Sequence, residues 1–270
     1  MKTGVLLMSY GSPDRIEDME PYLRNVLVRR PTTPGIVAEF QDRYRQIGGR
    51  SPLLDVSRAQ ARALESFLKV PVYVGMRHWT PYIREAADQA RRDGVGRLVG
   101  LALAPQYSPV SVGAYHEALE ATGMPCALVR EWHLEPPLLR YWREATRGRE
   151  FVLFTAHSVP VEGAGPYPGQ LAEMAGAIAS GPHALAYQSR SPSPVPWLGP
   201  EIPEVLGTLS GRVSVAPIGF VSDHVEVLYD LDILHRRQAE GRGLRWERLP
   251  MPNDHPLLIE ALASAAGRFL

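Results

Sequence analysis

The chain has 270 residues, enough for one large or two medium domains around a buried core. Its 29 Lys plus Arg balance 29 Asp plus Glu, which excludes binding to nucleic acid or anionic lipid through an overall field. The single cysteine, Cys126, excludes an intramolecular disulfide, a four-Cys zinc site and a self-supplied four-Cys iron–sulfur cluster. Its neighbours Pro125, Ala127 and Leu128 predict a buried apolar thiol. No apolar run approaches the roughly 18 to 20 residues of a membrane span, and no signal peptide is expected ahead of Val5. A soluble cytoplasmic protein is the expectation.

In chain order, Gly4 to Met8 is a continuous apolar run, as for a strand buried on both faces of a parallel sheet. It ends at Ser9-Tyr10-Gly11-Ser12-Pro13. Neither a Gly-x-Gly-x-x-Gly turn nor a Walker A loop follows, so nucleotides are not implied. Helical spacing runs through Ile16, Met19, Leu23, Val26 and Leu27. A second helix carries Ile36, Val37, Phe40 and Tyr44 and stops at Gly48-Gly49. Ala59, Ala63, Phe67 and Leu68 mark the next, and Val72 to Gly75 reads as a strand. Thr80 is a candidate N-cap with Pro81 at the first helical position. Leu98 to Leu103 is a strand broken by Pro105. A helix is expected through Tyr115 to Leu119, and Ala127 to Val129 is a weak strand.

A helix through Leu139, Trp142 and Ala145 bridges to a second half that repeats the alternation. Phe151 to Thr155 is a buried strand that stops at His157, with Pro160 preventing its continuation. A helix lies around Leu171 to Ile178, a strand over Ala184 to Gln188, and a Pro-rich loop over Ser191 to Pro200. Strand Val213 to Ala216 breaks at Pro217 and Gly219 before a helix that carries acids. Leu244 to Leu249 is strand-like, and Pro256 to Phe269 forms an amphipathic final helix. The class is α/β with parallel sheets: two Rossmann-like halves, residues 1–142 and 143–270, each of about four strands. The final helix is expected to pack back on the first half.

Strand ends are where open α/β sheets place their chemistry, which singles out His157. A neutral imidazole there can accept a proton or bind a borderline metal such as iron(II) or zinc. The blander reading is a strand-end histidine bonded to backbone. Ser158 lacks a nucleophile elbow. Asp223 and Glu226 approximate a capping box, yet Glu226 and Asp230 stack one turn apart beside a buried face of Val227, Leu228, Leu231 and Leu234. Two such carboxylates repel each other unless a cation or proton visits, so cap and function both stand. Tyr10, Tyr107 and Trp197 could wall a large flat ligand, or simply pack. Arg29, Arg30, Arg43 and Arg50 could fork onto carboxylates or phosphates, although such a run is usually a solvated face. His78, His116, His133, His183, His235 and His255 are scattered without metal-ligand spacing.

Together these stretches resemble the ferrochelatases, enzymes that insert ferrous iron into a porphyrin. Phe154 to Pro160 (FTAHSVP) is similar to one family signature, and Ala216 to Asp230 (APIGFVSDHVEVLYD) to the second. Met8 to Gly11, Ile47 to Leu53, Ala104 to Ser108, Gln188-Ser189 and Trp197 to Pro200 match in family order, so nearly the whole chain is covered.

The resemblance implies a porphyrin cleft between the halves, with His157 and Glu226 facing each other across the macrocycle as catalytic residues. His157, Glu226 and Asp230 would meet the metal. In the bacterial coproporphyrin III branch, which the short chain resembles, Tyr10 matches a residue near the metal. Arg43, Ser51 and Tyr115 match propionate contacts, the arginine pair sits at Arg29 and Arg30, and Trp197 would line the cleft. The resemblance further implies a lyase of haem biosynthesis that requires no cofactor, with ferrous iron as substrate and no iron–sulfur cluster. Its partners would be porphyrin, iron and an unidentified haem acceptor, and the protein would be a monomer. Rival readings are a protoporphyrin IX ferrochelatase, a sirohydrochlorin-type chelatase, a non-catalytic porphyrin or haem carrier, and a Ser158 hydrolase.

Overall fold

The first apolar run forms strand β1, Thr3–Ser9, whose alternate residues face opposite layers. Val5 and Leu7 point into the core shared with the second half. Leu6 and Met8 point to a separate cluster with Ile83, Ala87 and Leu119. This strand buried on both faces belongs to a computed structural model that describes residues 1–27 and 31–270. The expected contact at Arg29 falls outside those residues.

The remaining strands are β2 (Val72–Met76), β3 (Arg97–Ala102), β4 (Cys126–Val129), β5 (Val152–His157), β6 (His183–Gln188), β7 (Arg212–Ala216) and β8 (Arg245–Arg248). They form two four-stranded sheets in the orders β2-β1-β3-β4 and β6-β5-β7-β8. Every pairing is parallel. Each order reverses direction beside its first strand, so each half has a switch point, between β1 and β3 and between β5 and β7. Crevices open at the carboxyl ends of such strands.

Two helices tie the halves together. Helix Pro136–Thr146 contains the expected 142/143 boundary and packs against β7 and helix Tyr167–Ile178. The final helix, Pro256–Gly267, packs on helix Leu53–Leu68 and β3 of the first half as well as on helix Pro136–Thr146. It buries Leu257, Leu258, Ile259, Ala261, Leu262, Ala263, Ala265 and Ala266. A helix apolar nearly all round belongs between layers rather than on a surface, so one core spans both halves. Among the described residues, no helix is long and apolar enough to cross a membrane.

Four local expectations change. Thr80 does not cap a helix: the helix starts at Ile83, and the Glu85 carboxylate accepts the Tyr82 N–H at 2.7 Å. Asp223 does not cap the acid-bearing helix, Val225–Leu228, whose N-cap is His224. Leu234 is exposed, because a wide π-turn over Asp230–His235 bonds the Leu234 N–H to the Tyr229 carbonyl and rotates His235 inward in its place. Cys126 is half-buried, with its thiol pKa raised by burial.

Candidate active site

The β5–β7 ladder ends at Phe154 opposite Ala216, because Pro217 has no N–H to donate. The chain then folds over the end of β5: the Gly219 N–H donates to the Thr155 carbonyl at 3.1 Å. A Cβ on Gly219 would lie 2.6 Å from the Ala156 Cβ, so only glycine permits this approach. β5 meanwhile runs on beside β6 through His157, two residues past the expected Thr155. The fold-back carries Glu226 to the His157 ring, with His157 Nε2 3.4 Å from Glu226 Oε1. Gln188, opposite His157 in the ladder, donates its side-chain amide to the Glu226 carbonyl at 2.7 Å.

Charge follows from this contact. Burial alone would lower the His157 pKa, but the Glu226 carboxylate overrides it and raises the imidazole to about 9. Burial would likewise raise Glu226, and the imidazoles of His157 and His224 instead pull it below the usual carboxylate range. His224 Nε2 lies 3.6 Å from Glu226 Oε2, and its Nδ1 is buried without a partner. Asp230 is raised to about 6 by burial and by the Glu226 charge; a hydrogen bond from Ser189 and the charges of Arg43 and His157 oppose this. The blander reading of His157 holds in part, since its Nδ1 bonds the Ser158 carbonyl, but Nε2 is left for Glu226.

The first sheet faces this pair with phenols. Tyr10 follows β1, and burial, then the Glu226 charge, holds its pKa above the ordinary range. Its ring lies 4.5 Å from that of His78, tilted by 48°. Tyr115 is buried, with the Arg77 guanidinium 6.0 Å from its ring centre. Trp197 is stitched to the end of β5 through a bridge to Pro160, and its ring lies 6.5 Å from that of His157. Its indole N–H is buried without a partner.

Other expected residues are engaged elsewhere. Arg43 pairs with Glu39 at 2.6 Å, its guanidinium 5.3 Å from the Tyr229 ring centre. The Ser51 hydroxyl accepts the Leu53 N–H at the start of helix Leu53–Leu68. Ser158 is fully buried and donates to the Leu198 carbonyl at 2.8 Å, which removes it as a nucleophile. Among the described residues, no three His, Cys, Asp or Glu side chains are grouped to hold a metal, so His157, Glu226 and Asp230 do not converge as one cage. Ser189 donates to Asp230 from behind. Roles for His224, Gln188 and Ser189 were not read from sequence. They are ordinary polar residues inside quoted motifs, and only the fold turns them on Glu226 and Asp230.

Residues 2–268 match the ferrochelatase family. The chain belongs to that family. It is 36% identical over 296 residues to the coproporphyrin III ferrochelatase of Geobacillus kaustophilus, covering 97% of this chain and 94% of that protein. It is also 36% identical over 302 residues to the ferrochelatase of Deinococcus radiodurans, covering 98% of this chain and 95% of that one. Among solved structures it is similar in fold to the sirohydrochlorin chelatase of Bacillus subtilis subspecies spizizenii in complex with cobalt. The TM-score is 0.61 at 9% identity, with 99% of this chain and 95% of that one covered. That likeness supports the two-half chelatase fold.

Proposed function

We propose that this chain inserts ferrous iron into coproporphyrin III in haem biosynthesis, a lyase reaction. The observation that carries the reading is the His157–Glu226 pair at the second switch point, faced by Tyr10 from the first. The names of the ferrochelatase relatives, several of them coproporphyrin III enzymes, support the substrate.

Metallation must remove two pyrrole protons and the water bound to the metal. Imidazole and carboxylate are donors that iron(II) accepts, and both can carry protons. Two donors rather than a closed cage suit a metal that is handed on instead of kept. A flat macrocycle needs about 3.5 to 4 Å of contact distance on each face. The 3.4 Å pair must therefore part to about 7 Å to admit it, which also frees His157 from the charge that keeps it protonated. Neutral His157 then accepts a pyrrole proton on one face, while Glu226, backed by Asp230, serves iron or protons on the other. Tyr10 lies near the metal, Trp197 walls the ring, and Arg29, Arg43, Ser51 and Tyr115 take propionates, with Arg43 released from Glu39. No resident cofactor is required. The protein works as a cytoplasmic monomer.

Anaerobic metallation tests this reading, with iron(II) supplied alongside coproporphyrin III or protoporphyrin IX and followed by porphyrin absorption. Faster metallation of coproporphyrin III, lost in His157→Ala and Glu226→Gln, supports it. Faster metallation of protoporphyrin IX would move the substrate, and porphyrin binding without acceleration would make the protein a carrier.

A further inference from the structure

Helix Val225–Leu228, which carries Glu226, has four residues, and no side chain caps its N-terminus. It continues through Tyr229 into the π-turn Asp230–His235 and helix Arg236–Glu240, so Glu226 stands in the uncapped first turn of a longer helical segment. Two partly buried anchors grip it. On the N-terminal side, the Asp223 N–H donates to Asn253 Oδ1 at 2.8 Å, and the Asp223 carboxylate accepts from Asn253 Nδ2 at 2.7 Å. Arg248, at the end of β8, lies 3.3 Å from the same carboxylate. On the C-terminal side, Arg248 Nε donates to Asp232 Oδ1 at 2.8 Å. One guanidinium, 14% exposed, thus spans two carboxylates that flank Glu226 in sequence.

Asn253 is committed throughout. It adopts the left-handed conformation with φ 46°, and its N–H donates to the Val221 carbonyl. Its own carbonyl accepts from Gln60 Nε2 at 2.8 Å, and the same amide donates to Ser222 Oγ at 2.9 Å. Gln60 is fully buried on helix Leu53–Leu68 of the first half. The grip on the acid-bearing segment is therefore fixed to both halves.

We propose that Arg248 and Asn253 are positioning residues that fix the backbone of the segment carrying Glu226 at the second switch point, so that its carboxylate keeps its place when the pair with His157 parts, with Asp223 and Asp232 as the points they grip. Charge-assisted bonds are the stronger ones, and loss of Arg248 would leave two partly buried carboxylates without their shared cation. The catalytic part of this rests on the metallation reading; the positioning part concerns the ligand-free protein alone.

The test uses Arg248→Met, Arg248→Lys and Asn253→Gly, the last of which keeps the backbone conformation and removes only the side-chain grip. Crystal structures of the ligand-free variants should show the backbone of residues 223–232 displaced from its wild-type place in Arg248→Met and Asn253→Gly. In anaerobic metallation, kcat should fall about 10- to 100-fold in both, because misplacing a reacting group by about 1 Å costs that order. KM for porphyrin should stay within about threefold, since the walls of the cleft lie elsewhere, and Arg248→Lys should recover part of the rate. Adding Arg248→Met to Glu226→Gln should cost nothing further, as expected of residues acting through one another. An unmoved 223–232 segment in the variant crystals, or an additive double variant, overturns the proposal. Should wild type fail to metallate porphyrin, the functional reading falls, while the crystals still decide the positioning. Should Arg248→Met fail to fold, Asn253→Gly decides alone.

Discussion

Two histidines at the carboxyl ends of parallel strands end up in opposite states. His78 follows β2 in the first sheet; burial, then the charge of Arg77, lowers its pKa to about 4 despite a hydrogen bond to the Asn25 carbonyl. His157 ends β5 in the second sheet, and the Glu226 carboxylate turns the same burial penalty into a net rise. One ring is a neutral partner packed at a tilt against Tyr10, and the other is a paired cation. β2 is an edge strand of its sheet, whereas β5 borders the second switch point. The neighbouring charge decides which one can exchange a proton or meet a metal.

The comparison breaks most readily at the two rings themselves. His157→Ala and Glu226→Gln are expected to lower anaerobic metallation by about 10²- to 10⁴-fold, the range of a lost acid–base group. His78→Ala should cost less than about tenfold; equal losses at both histidines would put proton chemistry in both halves. Next comes the core that the halves share. Leu262→Ala, at a fully buried position of the final helix, should destabilise by about 2 to 5 kcal/mol in urea. Because that core is continuous, the loss should shift a single transition, whereas two separate transitions would mean that the halves fold independently.

A smaller effect should appear with pH. Folding raises His157 above its ordinary value of 6.5, so its contribution is full below 6.5 and is lost as pH rises through about 9. Folding lowers Glu226 below its ordinary 4.5, so that contribution is present above 4.5 and lost as pH falls. Both describe one ion pair. The stability difference between wild type and Glu226→Gln should therefore peak between pH 4.5 and 6.5 and shrink toward pH 9. A flat difference, measured by urea unfolding across that range, would mean that the pair is not formed in solution. Ser158→Ala should do least: a loss of about 0.5 to 1.5 kcal/mol for one hydrogen bond, with metallation unchanged.

Much of this was legible from the chain. Among the described residues, the eight strands lie within a few residues of the stretches that predict them; the inner strands do so because burial in a parallel sheet leaves continuous apolar runs, whereas the edge strand β8 (RWER) carries none. The strand breaks at Pro160 and Pro217 marked where the His157–Glu226 pair stands, since proline and glycine act locally. Helix ends were less legible. The Thr80-Pro81 signal was a good local cap, but the chain enters its helix two residues later, where Glu85 accepts the Tyr82 N–H. The π-turn after Asp230 moved Leu234 outward, which a strict helical period does not anticipate.

By itself, the sequence determined the α/β class, the two repeated halves, and His157 and Glu226 as separate candidates, which the resemblance to the ferrochelatases then paired. Burial, strand breaks and residue chemistry are written in short stretches of neighbouring residues. Only the tertiary structure decided that Asp223 is an anchor for Asn253 and Arg248 rather than a helix cap, and that Ser158 is a buried structural hydroxyl. The same holds for the opposite charge states of His78 and His157. Each of these depends on groups brought together from distant parts of the chain. Electrostatic energy follows distance and burial, and local sequence spacing encodes neither.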